Sequence, residues 1–151
     1  MKKSLAFLSL LLMSFMTFTA YAQYVDLGLP SGTKWKSQNE PGFYKYEEAV
    51  EKFRNRLPTK AQIEELKNEC TWSWIDSGYK VVGPNGKSIY LPAVGYCNCE
   101  EVVEDVASFG GYWSSTPIRS LFAFSLDFYS DRVSIYSGYR CGGRSVRLVL
   151  N

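Results

Sequence analysis

Between residues 122 and 136 apolar and polar side chains alternate. Phe122, Phe124, Leu126 and Phe128 interleave with Ala123, Ser125, Asp127 and Tyr129, and Arg132, Ser134 and Tyr136 interleave with Val133 and Ile135. A period of two predicts a pair of antiparallel strands with one apolar and one wet face. Tyr129-Ser130-Asp131-Arg132 supplies a tight turn between them. A last strand is expected over 145–150. Ala123, Leu126, Phe128, Val133 and Ile135 are expected inward as a fixed scaffold, and Phe124 fits either side.

Upstream the period changes. Tyr24-Val25-Asp26-Leu27 and Thr33-Lys34-Trp35 read as short strands separated by Gly28-Leu29-Pro30-Ser31-Gly32. Over 44–54, Tyr46, Ala49, Val50 and Phe53 recur at helical spacing opposite Glu47, Glu48 and Glu51. A second helix is expected from Thr59, where Thr59 and Gln62 form a capping box, to Asn68 or Glu69. Its buried side is Ala61, Ile63, Leu66 and Cys70. Residues 71–74 place Trp72 and Trp74 on one side of a strand. Residues 79–82 and 87–91 flank Gly83-Pro84-Asn85-Gly86, a hairpin signal. The acidic stretch 97–109 reads as a surface loop with a helical turn at most.

Charge and composition narrow the function. Lys2 and Lys3, the apolar run 5–18 and Ala20-Tyr21-Ala22 form a secretory signal peptide over residues 1–22, ahead of one domain over 23–151. No second apolar stretch is long enough for a transmembrane segment after cleavage. The expectation is therefore an exported protein: periplasmic, cell-surface or secreted. Beyond residue 22 there are 15 basic and 15 acidic residues, a balance that argues against nucleic acid as a partner. The chain has no histidine, and so lacks the usual near-neutral general base. Four cysteines in an exported chain form up to two disulfides, with the pairing of Cys70, Cys97, Cys99 and Cys141 open. No catalytic residue, metal site or cofactor is expected.

From Ser114 onward the chain contains no Lys, Glu, Gln, Met or Trp. The wet positions carry Arg, Tyr, Ser, Asp and Gly instead, a composition typical of binding surfaces.

Several segments carry a resemblance to a known family: residues 24–35, Leu57-Pro58-Thr59-Lys60-Ala61, Cys70-Thr71-Trp72-Ser73-Trp74, Gly83-Pro84-Asn85-Gly86, Leu91-Pro92-Ala93, Gly111-Tyr112-Trp113-Ser114-Ser115 and Ser145-Val146-Arg147. In that order they resemble the Fibrobacter succinogenes major paralogous domain, abundant in secreted proteins of gut Bacteroidales. The resemblance implies an α+β, C-type-lectin-like fold: two helices packed beside a twisted antiparallel sheet, with first and last strands paired. That fold is shared with formylglycine-generating enzymes and with the variable proteins of diversity-generating retroelements. Cys141 is the one candidate for a late catalytic cysteine of the former. The Glu-Pro-Asn and Trp-Asn-Asp calcium motifs of C-type lectins are absent, and Asn39-Glu40-Pro41 is a scrambled version in the wrong half of the chain.

In the retroelement relatives, adenines of Asn codons are randomised. Such codons reach Tyr, Ser, Arg, Asp, Gly, Phe, Ile, Leu and Cys but none of the five residues missing after Ser114. The implied ligand-binding set is Ile118, Arg119, Ser120, Phe122, Ser125, Asp127, Tyr129, Asp131, Arg132, Ser134, Tyr136, Ser137, Gly138, Tyr139, Cys141, Gly142 and Arg144. The expectation is a non-catalytic receptor or adhesin that presents these residues to a protein or glycan on another cell, a phage or a host. The same face also suits a fixed-sequence adhesin or surface-structure subunit.

Overall fold

Apolar positions at a period of 3.6 near the start and a period of two thereafter produce an α+β chain, seen in a computed structural model that describes residues 23–151. The expected signal peptide lies outside the described residues. Strands β1 (Tyr24–Asp26) and β2 (Lys34–Lys36) precede helices α1 (Tyr46–Phe53) and α2 (Lys60–Glu69), with a 3-10 turn (Arg54–Arg56) between the helices. Then follow β3 (Thr71–Trp74), β4 (Gly78–Val82), β5 (Ser88–Pro92), β6 (Tyr96–Cys97), β7 (Val103–Glu104), β8 (Gly110–Arg119), β9 (Phe122–Tyr129), β10 (Arg132–Tyr139) and β11 (Val149–Leu150). Among the described residues no helix is long and apolar enough to cross a membrane.

Local chemistry explains most of these boundaries. Thr59 caps α2 as expected: its hydroxyl accepts from the Gln62 amide at 3.2 Å, and the Gln62 side chain accepts from the Thr59 amide at 2.9 Å. Ile63 and Leu66 are its buried residues, whereas Ala61 is exposed and Cys70 half-buried. The β4–β5 hairpin turns at Pro84-Asn85, where Gly86 adopts φ +84°, a backbone region glycine enters without steric cost. The 97–109 stretch is not only loop. Tyr96 and Cys97 pair with Glu104 and Val103, because the Asn98 side chain closes a tight turn by accepting from the amides of Glu100 and Val102.

The strands form several antiparallel sheets rather than one: β1-β2-β11, β3-β4-β5, β8-β9-β10 and the β6-β7 pair. The first and last strands share a sheet but are not neighbours. β11 pairs with β2, placing Val149 opposite Trp35, and β2 separates it from β1. Strand geometry there is confined to Val149–Leu150. The residues before it, 144–148, run extended and buried beside β8, with Ser145 bonded to Gly111 and Trp113.

Two apolar clusters hold these layers. The larger gathers Leu27, Trp35, Ile63, Leu66, Val81, Leu91, Leu126 and Phe128. Trp72 and Trp74 pack on it, edge-on to Tyr79, while Tyr112 stacks on Phe128. The smaller joins Tyr46, Ala49, Phe53 and Leu57 to Trp113, Ala123, Val146 and Leu148. Arg147, only 2% exposed, sits between layers. Its guanidinium donates to the carbonyls of Lys36, Ser37 and Tyr90 and to Asn39 Oδ1. Burial lowers its pKa to about 10, and the four neutral acceptors replace the water it has lost.

Candidate functional site

The register of β9 and β10 decides which side chains share a face. Tyr129, Asp127, Ser125 and Ala123 stand opposite Arg132, Ser134, Tyr136 and Gly138. Because side chains alternate across a strand, these eight lie on one face of the sheet. Phe122, Ser137 and Tyr139 lie on the other with Leu126 and Phe128, and the Phe122 and Tyr139 rings pack at 4.6 Å. Leu126, Phe128 and Ala123 are buried, and Val133 and Ile135 pack half-buried on the larger cluster, as the scaffold reading expects. Phe124 is half-buried beneath Lys60, whose Nζ stands 4.8 Å from the ring.

The expected binding set is therefore not one wet face. Ser125, Asp127, Gly138, Gly142 and Arg144 are buried rather than outward. The physical reason is that the chain after β10 folds back over the polar face of the sheet. Arg144 lies across it, its guanidinium 4.8 Å over the Trp113 ring. Its Nε and Nη2 donate to Asp127 Oδ1 and Oδ2 at 3.4 and 3.3 Å, a forked pair. Gly138 makes room: a Cβ there would stand 2.6 Å from the guanidinium. Ser125 has no exposure and lies under β10, its hydroxyl against the Tyr136 carbonyl.

The remaining members fall into separate places. Ile118, Arg119 and Ser120 lie at the far end of β8, beside Phe122 and Tyr139. Asp131 and Arg132 lie at the opposite tip of the β9–β10 hairpin, with Tyr129. Cys141 is exposed and disulfide-bonded to Cys99, 42 residues away. Cys70 and Cys97 are free.

What the fold builds from the central members is a groove. Asp127 and Arg144 line it, with Tyr96, Phe109, Tyr129 and Tyr136 around them, in two adjoining concavities of about 380 Å³ each that share Phe109, Asp127, Tyr129 and Tyr136. Phe109 packs against Tyr96 at 5.4 Å and against Tyr129 at 5.1 Å. Arg132 stacks on the outer Tyr129 ring at 4.9 Å. Tyr136 is 62% exposed at the rim. Ser134 adds a hydroxyl along β10. A hydrogen bond to Glu104, together with burial, pushes the Tyr96 phenol up to about 12, so it remains protonated through the physiological range. Glu104 also accepts from Asn98, fixing that amide in the wall.

Tyr96, Cys97, Asn98, Cys99 and Phe109 are the groove residues that the sequence pattern missed. Their signal was two aromatics bracketing an acidic, cysteine-bearing stretch, which looks like solvated loop until β6 and β7 pair. Chemically the groove offers ring faces, a charge-balanced Asp–Arg fork and fixed hydroxyl and amide groups. Among the described residues, no three His, Cys, Asp or Glu side chains are grouped to hold a metal ion. Compared with known proteins, the chain matches no family model, no curated protein and no solved structure.

Proposed function

We propose that this chain is an exported, non-catalytic ligand-binding protein of C-type-lectin-like fold, a receptor or adhesin that meets its ligand at the groove of the β8–β9–β10 sheet. The observation that carries the reading is the groove itself: preformed, of ligand-site size, and walled by aromatic rings around a buried Arg–Asp fork. Tyr and Arg in a desolvated setting supply large contact area at low entropic cost. The ligand is a protein or glycan of another cell, phage or host surface.

The test is binding of the secreted chain to arrayed surface glycans and extracellular protein domains. A ligand found there is expected to lose about tenfold or more in affinity with Tyr136→Ala or Tyr129→Ala, the scale of a truncated hot spot. Arg119→Ala at the far end of β8 leaves it unchanged. Binding that ignores both tyrosine substitutions, or that follows Arg119 instead, overturns the assignment of the groove.

The retroelement-diversified form of this reading draws support from a narrower set than the sequence implied. Arg119, Ser120, Asp131, Arg132, Tyr136 and Tyr139 are exposed and free to vary. Ser125, Asp127, Gly138 and Arg144 are held by packing and hydrogen bonds, so diversification confined to the exposed positions is the form proposed here. A fixed-sequence adhesin using the same groove is the competing reading.

A further inference from the structure

Cys97 and Gly143 form an isolated antiparallel bridge, each donating its amide to the other's carbonyl, at 2.8 and 2.7 Å. Continuing that register by two residues sets Cys99 opposite Cys141, and these are the two that are joined, with Cα atoms 5.0 Å apart. The pairing stops at the bridge, with Cys99 and Cys141 in turns, but Cys97 shares one concavity with Cys99 and another with Cys141. Cys97 and Cys141 are diagonal neighbours across the bridge, about 7–8 Å apart in such an arrangement, so joining them takes a shift of the local backbone. The glycine at position 143 keeps that path open. A Cβ there would come within 2.9 Å of the Cys97 Cβ. Cys97 and Cys141 line one concavity of about 210 Å³, together with Lys45 and Glu48. Cys97 is a free thiol, half-buried, beside a disulfide whose two members are both exposed. Lys45 lines the same concavity, where it pairs with Glu101 at 3.1 Å.

We propose that Cys97, Cys99 and Cys141 form an internal thiol–disulfide exchange site. The Cys97 thiolate attacks Cys141 Sγ and a Cys97–Cys141 bond forms. The Cys99–Cys141 bond breaks, and Cys99 leaves with the bonding pair as a thiolate. Cys97 gives up one proton to solvent and Cys99 takes one, so nothing is oxidised or reduced overall and no added oxidant is required. The exchange moves the tether two residues along the β6–β7 hairpin and frees its exposed tip. Since Cys97, Asn98, Cys99 and Gly142 line the groove, one wall of the groove changes its attachment. The exchange itself does not depend on the groove's having a ligand.

The experiment uses the secreted chain, held without added thiol in mildly alkaline buffer, then acid-quenched, alkylated with N-ethylmaleimide and mapped by peptide mass spectrometry. Both pairings are expected, Cys97–Cys141 as the minor form, with label shared between Cys97 and Cys99. In Cys97→Ser, Cys99 stays unlabelled. In Cys99→Ser, air oxidation is expected to join Cys97 to Cys141, leaving neither open to alkylation. Burial raises the Cys70 thiol to about 11, so it serves as a slow-labelling reference in every sample. A wild-type map holding only Cys99–Cys141, with Cys97 fully labelled after prolonged incubation, overturns the proposal whether or not the variants fold.

Discussion

Arg144 and Arg119 are the same residue type in the same expected binding set, yet their surroundings demand opposite tolerances. Arg144 is 8% exposed and forks onto a carboxylate that is itself 9% exposed. Truncating one partner leaves the other charge buried, which commonly costs 3 kcal/mol or more. Arg144→Leu is expected to lower unfolding free energy by about 3 kcal/mol in urea titration, whereas exposed Arg119→Ala stays within about 0.5 kcal/mol. Equal effects would mean that the fork is not formed in solution. Tyr96 makes a separate prediction through its proton. Its phenol is raised from 10.0 to about 12, first by the hydrogen bond to Glu104 and then by burial. The fold therefore favours the neutral form. The stability this contributes is fully present below about pH 10 and is lost as pH rises through about 12. The difference in unfolding free energy between wild type and Tyr96→Phe is expected to shrink across that window. A difference that stays flat there would contradict the raised value.

Strand β9 shows how an element's pattern differs from its environment. Its alternation is the strongest period-two signal in the chain, and it predicts the strand and its turn correctly. Alternation reports which residues share a face, not what later covers that face. Between β8 and β10, with Arg144 folded across its polar side, β9 is buried on both faces over Ser125–Phe128. Substitutions on its two faces should therefore both be costly. Leu126→Ala removes packing from the larger cluster and is expected to cost about 2–5 kcal/mol. Ser125→Tyr forces a ring into a site with no exposure and is expected to cost about 1–3 kcal/mol. Thermal melts of the two variants check this directly. A Ser125→Tyr variant as stable as wild type would restore the wet-face reading of β9.

For the whole molecule, the placement of variable and invariant positions tests the diversified reading. Sequencing the gene in closely related isolates is expected to show differences concentrated at Arg119, Ser120, Asp131, Arg132, Tyr136 and Tyr139. Ser125, Asp127, Leu126, Phe128 and Arg144 should be spared, because each is held by packing or by the fork. A reverse transcriptase and a near-copy of the 3′ end should lie nearby, with Asn codons at the varying positions. Differences spread evenly along the chain with no such copy would leave the fixed-sequence adhesin as the better account.

Local chemistry was readable directly from the residues. Side-chain oxygens at Thr59 and Gln62 cap a helix, Asn-Gly turns a hairpin, and periods of 3.6 and two set helix and strand; each depends on neighbours a few positions apart. The groove and the pairings were not readable, because they join distant segments. Tyr96 and Phe109 reach the β9 face only when the 97–109 stretch folds back on itself. Arg144 meets Asp127 across 17 positions, and Cys141 meets Cys99 across 42. Which of four cysteines pair, and which polar side chains become buried, depends on how those segments cross. That crossing is set by packing of the two apolar clusters, a property of the assembled layers rather than of any one stretch.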